Sequence, residues 1–137
     1  MERWLTALAV AAVLSGFGTF GAGGPMVASG ANEVAFAVQA RQTAVEFFRS
    51  QNERRYDDLC ALLSRGFIRA HALRDRRTCA AVTRVAFVWN GKIEFSIGKV
   101  VREGDRFVVQ AIADGAPGLI VLVREDGGLK ILAVEGS

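Results

Sequence analysis

At 137 residues, with 51% apolar side chains, 23% charged ones and a net charge of +3, the chain is sized for one small folded domain. That composition excludes a disordered charged tail and a low-complexity or collagenous protein, and a single histidine with two cysteines leaves little for a metal centre.

The chain opens with Glu2 and Arg3, and from Trp4 to Ala31 it carries no further charge. Leu5 to Val13 is an apolar core, and Ala28-Ser29-Gly30-Ala31 offers the small residues of a cleavage site, which is the layout of a secretory signal peptide. The alternative is an uncleaved N-terminal membrane anchor, since the run is long enough to span a bilayer. Its six glycines and Pro25 weaken the later half as a helix and favour cleavage. The expected organisation is a signal peptide over 1–31 and one secreted or extracytoplasmic domain over 32–137.

Asn32 is placed to cap a helix that runs to Asn52, with Val34, Ala37, Val38, Ala44, Val45 and Phe48 near helical spacing. Arg41 falls on that stripe and reads as a side chain snorkelling at its rim. A second helix is expected from about Arg54 to Arg65, stopped by Gly66, and then a basic connector over Phe67 to Arg74. The third should start at Asp75 or Thr78 and run to about Trp89, with Cys79, Val82, Val85, Ala86 and Trp89 on one face. Asn90-Gly91 is also a hairpin signal, so Arg84 to Trp89 as an extra strand is the rival reading.

From Lys92 to Val134 the pattern changes to period two. Ile93, Phe95, Ile97 and Val101 share a face, with Lys99 an interruption, and Phe107, Val109 and Ala111 alternate with Val108, Gln110 and Ile112. Turns are expected at Glu103-Gly104-Asp105, at Asp114 to Gly118 and at Glu125 to Gly128, giving a four-stranded antiparallel meander. Its strands are too apolar for a whole face to lie in water, so the helices should cover one face.

Cys60 and Cys79 are the only cysteines. In an exported chain they read as a disulfide stapling the second helix to the third. No C-x-x-C supports a redox pair.

Three helices followed by this meander resemble the NTF2-like superfamily, in particular its small exported actinobacterial members called SnoaL-like or lumazine-binding-like. The resemblance rests on Ala44-Val45-Glu46-Phe47-Phe48, on Tyr56 to Leu63, and on Cys79-Ala80-Ala81-Val82. In the sheet it rests on Gly104-Asp105-Arg106-Phe107-Val108-Val109 and Val123-Arg124-Glu125-Asp126-Gly127-Gly128, and it departs from the usual pattern at Leu129, where an aromatic is common. It implies an α+β cone: three N-terminal helices packed on a curved four-stranded sheet, with a pocket between them. The family includes isomerases, cyclases and dehydratases as well as pure binding modules, so the fold leaves the activity open.

Candidates for chemistry are few. Tyr56, Glu94, Asp114 and His71 are the titratable groups that an enzyme on this fold would have to bring together. Each also has a plain structural role: a packed ring, a cross-strand charge, a turn residue and an exposed connector histidine. Positive charge collects over residues 54–84, with eight arginines against Asp57, Asp58 and Asp75. Among them Arg69, Arg74, Arg76 and Arg77 suit an anionic cell-surface partner. Interleaved aromatics are lacking, so nucleic acid is not expected. The leading expectation is an exported non-catalytic binding module with a small apolar ligand in the pocket, an arginine-rich helical surface, no cofactor and no metal. The alternative is a SnoaL or ketosteroid-isomerase-like enzyme acting on a small apolar molecule. Homodimerisation through the sheet is a further expectation.

Overall fold

A computed structural model describes residues 31–71, 73–87 and 91–136. Residues 1–30 of the expected signal segment, with Trp89 and Asn90, therefore lie outside the described residues. Four helices, α1 (Ala31–Asn52), α2 (Tyr56–Ala61), α3 (Arg65–Ala70) and α4 (Arg76–Phe87), precede four strands, β1 (Phe95–Glu103), β2 (Arg106–Ala113), β3 (Ala116–Glu125) and β4 (Gly128–Gly136). The strands pair antiparallel in chain order, β1-β2-β3-β4.

Helix α1 already includes Ala31, so Asn32 stands inside it rather than at its cap. Its buried stripe is Ala40, Ala44, Phe47, Phe48 and Gln51, whereas Val34 and Val38 are exposed. Arg41 is exposed at the rim, as read from the sequence, and its guanidinium donates to the carbonyls of Ile97 (3.2 Å) and Gly98 (2.6 Å) on β1. Arg41→Ala should lower stability by about 1 kcal/mol, a charged hydrogen bond discounted for exposure, as urea unfolding would show.

Among the described residues the helical half holds four helices where three were expected. Residues 62–64 leave the helical path because they pair with β4: Ser64 N–H donates to Ile131 O (2.8 Å) and Ile131 N–H to Leu62 O (2.7 Å), making a parallel bridge between Leu63 and Ile131. Lys130 Nζ adds a bond to Ala61 O (2.8 Å). Ser64 then restarts the helix, its hydroxyl accepting from Phe67 N–H at 3.0 Å. Gly66, expected as a stop, lies inside α3, where a Cβ would meet Leu132 at 3.1 Å. Asp75 caps α4 by accepting from Thr78 N–H at 2.8 Å, and that bond holds its carboxyl below the usual range. The helix continues to Phe87, which answers the strand alternative for Arg84 to Phe87. Its buried face is Cys79, Thr83 and Phe87, while Val82 and Val85 are exposed.

The Cys60–Cys79 disulfide joins α2 to α4, with Cα atoms 6.1 Å apart. Thr83 Oγ1 lies 3.7 Å from one sulfur and 3.8 Å from the other and donates to Cys79 O at 2.7 Å.

In the sheet, two turns are tighter than expected. Asp114-Gly115 and Asp126-Gly127 both have positive φ at their two residues, as type I′ hairpins require. Ala116 to Gly118 therefore belong to β3 rather than to the turn. Pro117 is accommodated because β4 pairs with β3 only from Gly118 onward, which leaves this end of β3 an edge. Lys99 marks a bulge: the register shifts between Ile97 and Val100, so Val100 faces the helices and Val101, paired with Val108, faces away. A second bulge lies in β4 at Leu132, between Ile131 and Ala133.

The core lies between the helices and one face of the sheet. Phe47, Phe48, Phe67, Phe87 and Phe107 are fully buried there with Leu59, Ile120, Leu122 and Ile131. Phe48 stacks on Phe95 with ring centroids 4.8 Å apart and meets Phe47 edge-on at 5.3 Å.

Candidate functional site

Strand register arranges the far face of the sheet in rows. Val101, Val108, Val121 and Ala133 stand side by side across the four strands. The next row is Gln110, Leu119 and Glu135, and beyond it lie Ser96, Ile112 and Pro117. Val108, Val121 and Ala133 form a buried cluster separate from the main core, with Leu119 and Leu132 against it. The two outer rows line a recess of about 440 Å³ together with Gly98, Gly118 and Gly136. Ile112 is 48% exposed at its side. Glu135 is buried, its Oε1 unpartnered among the described residues, and burial pushes its carboxyl above the usual range. The recess is thus apolar with one reluctant acid. It is on the opposite face of the sheet from the expected pocket, since aromatic rings fill the space beneath the helices.

A second, smaller chamber of about 110 Å³ opens where α1, α4 and the lead-in to β1 converge, lined by Gln51, Asn52, Arg54, Tyr56, Phe87, Gly91 and Lys92. The Asn52 side chain is committed to the backbone of Ile93, donating at 3.0 Å and accepting at 2.7 Å. Gln51 is 6% exposed, and among the described residues neither its Oε1 nor its Nε2 has a partner. Beside this chamber a wider recess of about 450 Å³ shares Arg54 and Tyr56 with it and adds Arg55, Asp57, Asp58, Arg77 and Arg84.

The four titratable candidates do not meet in any of the described recesses. Tyr56 lines the small chamber and carries the Arg84 guanidinium 5.8 Å from its ring centroid. Asp114 is a turn residue, its carboxylate accepting from Glu94 N–H at 3.0 Å while its own N–H donates to Glu94 O at 2.8 Å. The Glu94 side chain is exposed. His71, expected to be exposed, is half-buried and stacks on Phe67 with centroids 4.3 Å apart, and burial lowers its pKa.

The arginines divide between two surfaces. Arg69 and Arg74 line a recess of about 450 Å³ with Arg65, Ile68 and Asp75. Arg77 belongs to the other recess, with Arg54, Arg55 and Arg84; the side chain of Arg76 lies outside the described residues. Arg55 is spent on Glu46, Glu53 and Asp58, with contacts of 2.7–2.9 Å, and these carboxylates hold it charged. Among the described residues no group of three or more metal-ligating side chains is gathered, and no helix is long and apolar enough to cross a membrane.

Sequence reasoning passed over Gln51 and Glu135. Gln51 had a signal: it stands 11 residues after Ala40 and 4 after Phe47 on the inward stripe of α1, where a leucine would be ordinary.

No family model matches the sequence, and no curated protein matches it. Solved structures do. A domain of unknown function with a cystatin-like fold from Nostoc punctiforme is 18% identical, with a TM-score of 0.54, over 75% of this chain and 76% of that one. A protein from Thiobacillus denitrificans, assigned to the calcium/calmodulin-dependent protein kinase type II association domains, is also 18% identical. It covers 69% of this chain and 90% of its own, with a TM-score of 0.49. The fold is therefore α+β, of the cystatin-like kind that the Nostoc domain has.

Proposed function

We propose that the protein is an exported, non-catalytic binding module of the SnoaL-like group that works through the outer face of its sheet, with a small apolar molecule in the recess between Ile112, Leu119 and Glu135. The observation that carries this reading is the recess itself: about 440 Å³, floored by strand residues and apolar apart from Ser96, Gln110 and Glu135. That volume is in the range of small-molecule sites. The Glu135 carboxyl, pushed toward its neutral form, offers one hydrogen bond to orient a ligand. Export is supported by the buried Cys60–Cys79 disulfide, a feature of oxidising compartments. Against an isomerase stands the dispersal of Tyr56, Glu94, Asp114 and His71.

A second reading is favoured by the apolar side chains that this face leaves open, Ile112 at 48% exposure with Pro117 and Leu119 beside it. On that reading a second copy of the chain packs against this face. Native mass spectrometry of protein from an exporting host separates the two. A retained small molecule, lost in Leu119→Asp, is the expected result, and a dimer that Ile112→Asp dissociates would favour the second reading. A bare monomer whose mass and unfolding midpoint respond to neither variant would sink both.

A further inference from the structure

Glu135 is the only ionisable side chain among the described residues lining the outer-face recess, and it is 7% exposed. By register its neighbours on that face are Ala133 two residues back and Leu119 directly across, with Pro117 and Val121 on the diagonals. None of these side chains can donate a hydrogen bond. The Gln110 amide stands one strand further on, with Leu119 between, so the two backbones are roughly 10 Å apart. Glu135 Oε1 is enclosed with no partner among the described residues. Oε2 is not enclosed in this way, which leaves it as the oxygen that a molecule in the recess can reach.

The cations of this face stand off. The ion pairs of the described residues all lie elsewhere. Lys99 is on β1, with two strands between, and Arg106 is at the other end of β2. Lys130, near the start of β4, donates to Ala61 O at 2.8 Å. At the end of the sheet beyond Ser96 and Ile112 stand two more acids, Glu94 and Asp114, while Lys92 lines the chamber beside α1.

A carboxylate without a partner in apolar surroundings is costly, which is why burial pushes this carboxyl above the usual range. A proton removes the charge but adds no contact. A cationic ligand supplies the missing partner, and a charge-assisted hydrogen bond is about twice as strong as a neutral one. No aromatic ring is among the residues lining the recess, so a quaternary ammonium would find no ring face to rest on. The cation must therefore carry N–H groups.

With a small molecule in the outer-face recess, as proposed above, we infer that this molecule is an amphiphilic amine: its ammonium N–H donates to Glu135 Oε2, and its apolar body lies against Ile112, Pro117 and Leu119. About 440 Å³ admits a compact hydrocarbon body with one polar end.

Adamantylamine is the probe, beside its trimethylammonium derivative, adamantanol and adamantanecarboxylate, which share its apolar cage. The readout is the backbone amide resonances of Ile112, Leu119 and Glu135 in the disulfide-bonded protein, followed through titrations at neutral pH. The amine should bind at least about tenfold more tightly than the alcohol or the trimethylammonium compound, and the carboxylate should bind most weakly. Glu135→Gln should lower the amine's affinity about tenfold, to that of the alcohol, and leave the alcohol's unchanged. A merely structural role for Glu135 would weaken both alike. The comparison of probes on the parent protein decides the matter even where that variant does not fold. An alcohol or trimethylammonium compound as tight as the amine, or a carboxylate that binds best, would overturn the amine and leave the recess an apolar small-molecule site. No saturable shift with any of the four would overturn the amine together with the recess.

Discussion

Replacing Cys60 and Cys79 together by alanine is expected to lower the stability of the domain by about 3 kcal/mol, as the chain-entropy account gives for a loop of this size. The bridge spans 19 residues, and both cysteines are buried, at 1% and 0% exposure. Helix α2 has only 6 residues, too few to persist without tertiary support, so the bridge to α4 is what holds it in place. Urea unfolding of the parent with and without reductant, beside the double variant, makes the measurement. The reduced parent and the variant should coincide, well below the oxidised parent. A difference of less than about 1 kcal/mol would show that packing alone secures the helix pair.

An effect of the same order or larger is expected at Phe48. Phe48→Ala should cost about 3–5 kcal/mol, the range for emptying a buried aromatic site. Its ring is fully buried between α1 and β1, stacked on Phe95 and in edge contact with Phe47. Against a total stability of about 5–15 kcal/mol, that loss leaves a marginal domain. The matching control is Val85→Ala. Val85 is 75% exposed, and its truncation should stay within about 0.5 kcal/mol. Equal losses at the two positions would mean that α4 packs by the face read from its sequence, with Val85 inside.

That contrast shows how far the sequence could be read. The meander was legible because alternation and Gly-containing turns are local signals, and Phe107, Val109 and Ala111 face the core as their spacing implied. The cysteine pair was legible because two cysteines allow one bridge. What escaped depends on contacts remote in the chain. Nothing near Leu62 announces that Ile131 will draw residues 62–64 into an extended bridge and split one helix into two. The bulge at Lys99 was visible as an irregularity, but which side Val101 takes after it is settled by pairing with Val108. On α4, valines at 82 and 85 imitated a core face that Cys79, Thr83 and Phe87 occupy. For the site, the arginine excess was evident from counting, yet its division into two surfaces follows from how α2, α3 and α4 turn. Gln51 could have been noticed as a polar residue on an inward stripe.

The bridge between Leu63 and Ile131 also bears on the order of assembly. A chain made from its N-terminus presents both cysteines before β4 exists, and with export as proposed above the disulfide can close while residues 62–64 still lack their partner strand. In that order the pairing of Ser64 and Leu62 with Ile131 is added to a helical unit already cross-linked. Strand β4 serves as a latch as well as the sheet's edge: until Lys130 and Ile131 arrive, the turn between α2 and α3 has carbonyls and amides that only water can satisfy.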